Sequence, residues 1–167
     1  PYTVCCFHGA QVTGLTPDTI YYYRVGGDTN GWSDEYSFRT APVRGLATPF
    51  TFVAYGDLGV EALTNVLPPG VPPELVTKGA ANENPRFVLH LGDLFYCKTS
   101  SSSTGQLCVD KFFNTTIKNL AASALYMAST GNHEYNQPDN LFTYVGRFDY
   151  PGAQIGTGCL SSTGCSP

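Results

Sequence analysis

Three apolar stretches in this 167-residue chain each run straight into a turn built from glycine and a polar side chain. Phe50 to Tyr55 leads into Gly56-Asp57-Leu58-Gly59. Phe87 to Leu91 leads into Gly92-Asp93-Leu94-Phe95-Tyr96, and Leu125 to Ala128 into Thr130-Gly131-Asn132-His133-Glu134. Short, nearly continuous apolar runs bounded by turn residues read as strands covered on both faces. Helical patterns lie between them. Val109, Phe112, Phe113, Ile117, Leu120 and Ala121 fall on one helix face, and Val60 to Leu67 is a shorter helical stretch ended by Pro68-Pro69-Gly70 and Pro72-Pro73. Strand–helix–strand alternation predicts an α/β layered domain with parallel strands. In an open parallel sheet, all three turns emerge at the edge where ligands bind. Asp57, Asp93, Asn132 and His133 are therefore expected to converge.

The first 41 residues follow a different pattern. Ile20 to Val25 and Glu35 to Thr40 read as strands. Phe7 to Val12 is a weaker strand, because Gly9 interrupts it. Gly14-Leu15-Thr16-Pro17-Asp18 and Gly26-Gly27-Asp28-Thr29-Asn30-Gly31 are turn-forming. Thr19, Tyr21 and Tyr23 alternate with Ile20, Tyr22 and Arg24, so one face can be buried, and Trp32 reads as part of the same core. The run Leu15 to Tyr21 resembles the corner of a fibronectin type III sandwich, where a Tyr hydroxyl bonds back to the backbone. That resemblance implies about seven strands over about 100 residues, of which this chain holds the last three. The expected division is a partial sandwich over 1–41, a linker over 42–48 and the α/β unit over 49–167, with loop from Pro151 onward.

Composition narrows the partners. Charged residues make up 13% and the net charge is −4, so a basic nucleic-acid footprint and a polybasic membrane patch are both absent. No apolar run reaches the roughly 18 residues of a membrane span. No Gly-x-Gly-x-x-Gly and no P-loop lysine marks a nucleotide site. Cys97 and Cys108 bracket a polar run read as a loop, as do Cys159 and Cys165; each pair reads as a local disulfide. Zinc knuckles are excluded by spacing. Adjacent Cys5 and Cys6 need partners elsewhere, and six cysteines allow 15 complete pairings, so the connectivity stays open. Asn114-Thr115-Thr116 is a glycosylation acceptor pattern; with the cysteines it points to an oxidising, secreted setting.

Two carboxylates, an amide, an imidazole and a phenol at one sheet edge suit a particular chemistry. Unpaired carboxylates repel, and cations remove that cost. Two metals about 3.5–4 Å apart, bridged by one carboxylate, activate water and draw charge from phosphate oxygens. Oxygen donors with a little nitrogen suit iron, manganese or zinc better than copper.

The three turns resemble the first three motifs of the calcineurin-like metallophosphoesterases, and Tyr96, three residues after Asp93, resembles the purple acid phosphatase branch. An N-terminal fibronectin-like sandwich is also a feature of the larger purple acid phosphatases. The resemblance covers nearly all of residues 7–150. It implies a layered β-α-β sandwich catalytic domain. It implies that Asp57 binds a ferric ion, Fe(III), that Asp93 bridges both metals, and that Tyr96 binds iron as phenolate. Asn132 would bind a divalent metal (Zn, Fe or Mn), and His133 would steady the phosphoryl group or leaving oxygen. The implied reaction is hydrolysis of phosphate monoesters at acidic pH. Two later family motifs, which supply further histidines, are not matched, because the only histidines are His8, His90 and His133. His90 lies inside a strand and is expected to face packing. The chain therefore reads as a fragment whose parent is the enzyme, inactive alone and partnered by the rest of that parent or by copies of itself. The competing reading is a non-catalytic extracellular scaffold. Glu134 carries negative charge into a helix start, and Arg147 reads as exposed or at the core edge.

Overall fold

A computed structural model describes residues 10–45, 47–60, 71–97, 102–135, 144, 147 and 148. The expected helix over Val60 to Leu67 falls outside them beyond Val60, as do Cys5, Cys6, Cys159, Cys165 and the segment from Pro151 onward.

Strands β1 (Ile20–Tyr23) and β4 (Tyr36–Arg39) pair antiparallel, with Tyr21 opposite Phe38 and Tyr23 opposite Tyr36. Between them β2 (Gly26–Gly27) and β3 (Gly31–Trp32) close a small hairpin. The alternation is visible in burial: Tyr21 and Tyr23 are half-buried and pack against Phe38 and Tyr36, whereas Ile20 and Tyr22 face outward. The Tyr21 hydroxyl accepts the Thr16 N–H at 2.8 Å, which pins the turn before β1. Two expectations fail here. Ala10 to Val12 is exposed and not in a strand. Trp32 is 53% exposed rather than core, with Arg24 over its ring at 5.8 Å and its indole N–H on Asp28 at 3.3 Å. A two-residue strand beside Gly27 and Gly31 offers too little apolar surface to enclose an indole.

The α/β unit is a parallel sheet in the order β5 (Phe52–Tyr55), β6 (Phe87–Leu91), β7 (Leu125–Ser129). Helices α1 (Pro73–Asn82), α2 (Ser102–Lys111) and α3 (Lys118–Ser123) link the strands. Val88 packs with Ala80, Leu120 and Ala124, while Leu58, Leu94, Phe95, Phe112 and Ile117 form the larger core. The strands are apolar enough for burial on both faces, yet Phe52, Leu91 and Leu125 are more than half exposed; among the described residues only one face is covered. Whether the prolines end a helix over Val60 to Leu67 lies outside the described residues, but the last two begin one. Pro72 is extended and Pro73 opens α1, where a missing N–H costs nothing because the first turn has no carbonyl to receive it. The polar run after Cys97, read as a loop, is helical from Ser102.

The helix face read as continuous is interrupted by a wider turn over Phe112–Thr116, closed by the Ile117 N–H on the Phe112 carbonyl at 3.0 Å. The five-residue step from Phe112 to Ile117 suits that i→i+5 turn, so both side chains stay buried. The N-terminal piece docks through polar contacts. Tyr23 donates to the Ala122 carbonyl at 2.8 Å, and Asp18 pairs with Arg86 at 2.7 Å and Arg39 at 3.1 Å.

His90 lies at the centre of the sheet, 1% exposed, opposite Tyr55 on one side and Ala128 on the other. Its Nδ1 is 2.7 Å from the Tyr126 hydroxyl, which is 2.8 Å from that of Tyr55. Burial lowers the His90 pKa to about 4, against an opposing pull from the Asp57 and Asp93 carboxylates. Burial likewise pushes the Tyr55 hydroxyl up to about 12. Unfolding releases this imidazole to its usual value of 6.5, so between pH 6.5 and about 4 the unfolded chain binds more protons. The fold should keep its full stability above that window and lose about 3 kcal/mol across it as pH falls. Urea unfolding of wild type and His90→Gln at several pH values checks this; the difference between them should shrink with acidification.

Candidate metal centre

The three strands deliver their turns to one edge of the sheet. The Asp57 N–H donates to the Gly92 carbonyl at 3.2 Å and the Gly59 N–H to the Leu94 carbonyl at 3.0 Å, so the first two turns are laced together by backbone. Asp57, Asp93 and Tyr96 have φ of 55°, 50° and 51°. Left-handed geometry at a non-glycine residue costs about 1–2 kcal/mol and persists only where surroundings enforce it. Here it aims three oxygen-bearing side chains at one point. The Tyr96 hydroxyl donates to Asp57 Oδ1 and lies 3.3 Å from Asp93 Oδ2.

The third turn joins from the other side. Asn132 and His133 open the short helix α4 (Asn132–Tyr135), Asn132 and His133 both being exposed. The His133 N–H donates to Asp93 Oδ1 at 2.9 Å, and its ring lies over that of Tyr96 with centroids 4.2 Å apart. Gly131 is required at this crossing: a Cβ there would overlap the Asp93 carboxylate and backbone nitrogen. Thus Asp57, Asp93, Tyr96 and His133 come together, and Asn132 stands one residue before His133. Neither aspartate opens a helix of its own; both sit in left-handed turns, and Asp93 reaches across to the first turn of α4.

The electrostatics reflect this crowding. Partial burial and the hydrogen bond to Asp57, with the Asp93 charge behind it, hold the Tyr96 hydroxyl well above its ordinary range. The phenolic proton occupies the place between two carboxylates where a cation would compete for the same oxygens. Two carboxylates and a phenol form a hard donor set, which fits iron or manganese. Among the described residues, no group of three or more His, Cys, Asp or Glu side chains gathers as a complete metal site. His90, below this edge, faces packing: its ring lies 4.9 Å from that of Tyr55 and 6.0 Å from that of Phe112.

Other positions fall into place around the edge. Cys97, directly after Tyr96, is joined to Cys108 of α2 by a disulfide, which ties the second turn to that helix. Asn114 is exposed on the wide turn. Arg147 is neither exposed nor free: it pairs with Asp110 at 2.7 Å and lies over the Phe113 ring. The residue that sequence reasoning undervalues is Glu134. It is 2% exposed and accepts the Leu94, Phe95 and Gly131 N–H groups at 2.8, 3.2 and 3.0 Å. Its signal is its position three residues after Gly131, the spacing at which a carboxylate reaches back to the start of a helix.

Comparison with known proteins gives matches in both parts. Residues 50–162 match the family described as calcineurin-like phosphoesterase, and residues 6–40 the N-terminal domain of purple acid phosphatases. Probable inactive purple acid phosphatase 24 of Arabidopsis thaliana is 30% identical over 149 residues, 84% of this chain and 23% of that protein. Purple acid phosphatase 15 of the same plant is 28% identical over 178 residues, 93% of this chain and 32% of that protein. Acid phosphatase type 7 of Mus musculus is 30% identical over 151 residues, covering 89% and 31% respectively. The chain spans about a quarter to a third of the length of these relatives.

Gly131→Ala should displace Asp93 or distort its turn, since the atoms in the way are backbone and a short side chain. Overpacking of this kind costs about 1–3 kcal/mol. Thermal unfolding should register that loss, and amide chemical shifts at Asp93 and His133 should move.

Proposed function

Because the chain belongs to the calcineurin-like phosphoesterases, we propose that the protein containing it is a secreted acid phosphatase that hydrolyses phosphate monoesters at a binuclear metal centre. The observation that carries this reading is the meeting of Asp57, Asp93 and Tyr96 around one phenolic oxygen. In this proposal Asp57, Asp93 and Tyr96 would hold iron, and Asp93 and Asn132 would hold a second, divalent ion (zinc, iron or manganese). Bound metals would supply Lewis acidity toward the phosphate oxygens and activate a water. Tyr96 Oη would release the proton it now shares with Asp57. His133, exposed and in ring contact with Tyr96, would donate a hydrogen bond to the phosphoryl group or leaving oxygen. Secretion is supported by the Cys97–Cys108 disulfide and the exposed Asn114 of the acceptor pattern.

A second reading, a non-catalytic extracellular scaffold, is favoured by the names of some relatives, which are called probable inactive purple acid phosphatases. Metal analysis and turnover of an aryl phosphate by the complete protein separate the two. Under the enzymatic reading, Asp93→Asn lowers kcat by at least about a hundredfold through loss of the bridging carboxylate, while Asn114→Gln leaves kcat unchanged. Full activity in the Asp93 variant would overturn the metal assignment. Bound metal without turnover in wild type would favour the scaffold.

A further inference from the structure

The turn bearing Asp93 and Tyr96 is gripped from inside by a single buried side chain. Leu94 and Phe95 lie between these two left-handed residues, and both of their N–H groups donate to Glu134 Oε1. Glu134 Oε2 accepts the N–H of Gly131, the residue that precedes Asn132 and His133. One carboxylate therefore ties the second turn to the third through three backbone donors. A carboxylate removed from water is costly unless hydrogen-bonded, and Leu94 and Phe95 beside it belong to the apolar core. An apolar residue would pack there without that desolvation cost but would leave three N–H groups without acceptors. The site thus retains a charged clamp where packing alone has no use for one.

The clamp has a consequence for Asp93. Fixing Gly131 relative to Leu94 brings the His133 N–H onto Asp93 Oδ1 at 2.9 Å, which leaves Oδ2 turned toward Tyr96. We propose that Glu134 is a positioning residue of the metal centre: it fixes the spacing between the Asp93–Tyr96 turn and the Asn132–His133 turn, so that the donors are aligned before a metal arrives. This inference rests on the metallophosphatase reading above.

Glu134→Gln tests it in the complete protein, because the amide NH2 must face an N–H that now finds an oxygen. Iron and zinc titrations by calorimetry should show affinity reduced about 10–100-fold. The visible absorption of a Tyr96–iron bond should weaken or shift in the loaded variant. In the metal-free variant, hydrogen exchange should accelerate at Leu94, Phe95 and Gly131 but not at Val88. Leu120→Ala, a core truncation away from the edge, should lower thermal stability while leaving affinity and spectrum intact. Glu134→Asp keeps the carboxylate on a shorter stem and should retain part of the affinity; it is the variant to read if Glu134→Gln does not fold. Wild-type affinity and spectrum in whichever variant folds would overturn the positioning role. Wild-type protein that binds no metal would instead overturn the metallophosphatase reading, and with it this role.

Discussion

Everything at the candidate centre depends on the pairing of β6 between β5 and β7 in parallel. Parallel pairing sends the three succeeding turns to one edge, and the register puts Tyr55, His90 and Ala128 side by side just before the chain changes direction. A slip by one residue would turn every side chain of the slipped strand to the opposite face. The hydroxyls of Tyr55 and Tyr126 and the imidazole of His90 form a polar chain across the three strands that a slipped register would break. Apolar burial of Val88 against α1 and α3 supplies the driving force, and the polar chain adds specificity to it.

The edge itself is a compromise among unfavourable terms. Left-handed backbone at Asp57, Asp93 and Tyr96 is strained, two carboxylates face one another, and a phenol is held protonated between them. Backbone hydrogen bonds between the turns, the buried Glu134 and the disulfide after Tyr96 offset the strain. The result is a set of donors fixed in space with little freedom left to lose when a ligand binds.

Much of this is legible in the sequence, because it is written in strong local signals. The three strands show as apolar runs, and the glycine beside each polar residue marks a turn. Parallel topology then implies convergence of Asp57, Asp93 and His133. The features that escape such a reading depend on context that local pattern does not carry. Pro73 looks like a breaker until the chain before it is known to be extended, where it becomes a helix starter. Trp32 reads as core by composition, but its short hairpin leaves nothing to bury it. Glu134 reads as a plain helix-start charge, because two of its three amide partners come from residues 40 and 39 positions earlier. The face of β5, β6 and β7 that no described residue covers is equally illegible, since apolar runs report the capacity for burial and not the element that covers them.

The wide turn over Phe112–Thr116 restricts how this segment can change length in evolution. Deleting one residue there would restore an ordinary helix and rotate the downstream helix α3 by about 100°. Leu120 would swing out of the core, and the Ala122 carbonyl would leave the Tyr23 hydroxyl. The N-terminal piece would lose one of its anchors although no residue of that piece had altered. Insertions and deletions should therefore accumulate outside this helical stretch, while its residue count drifts only in steps that return Leu120 to the same side.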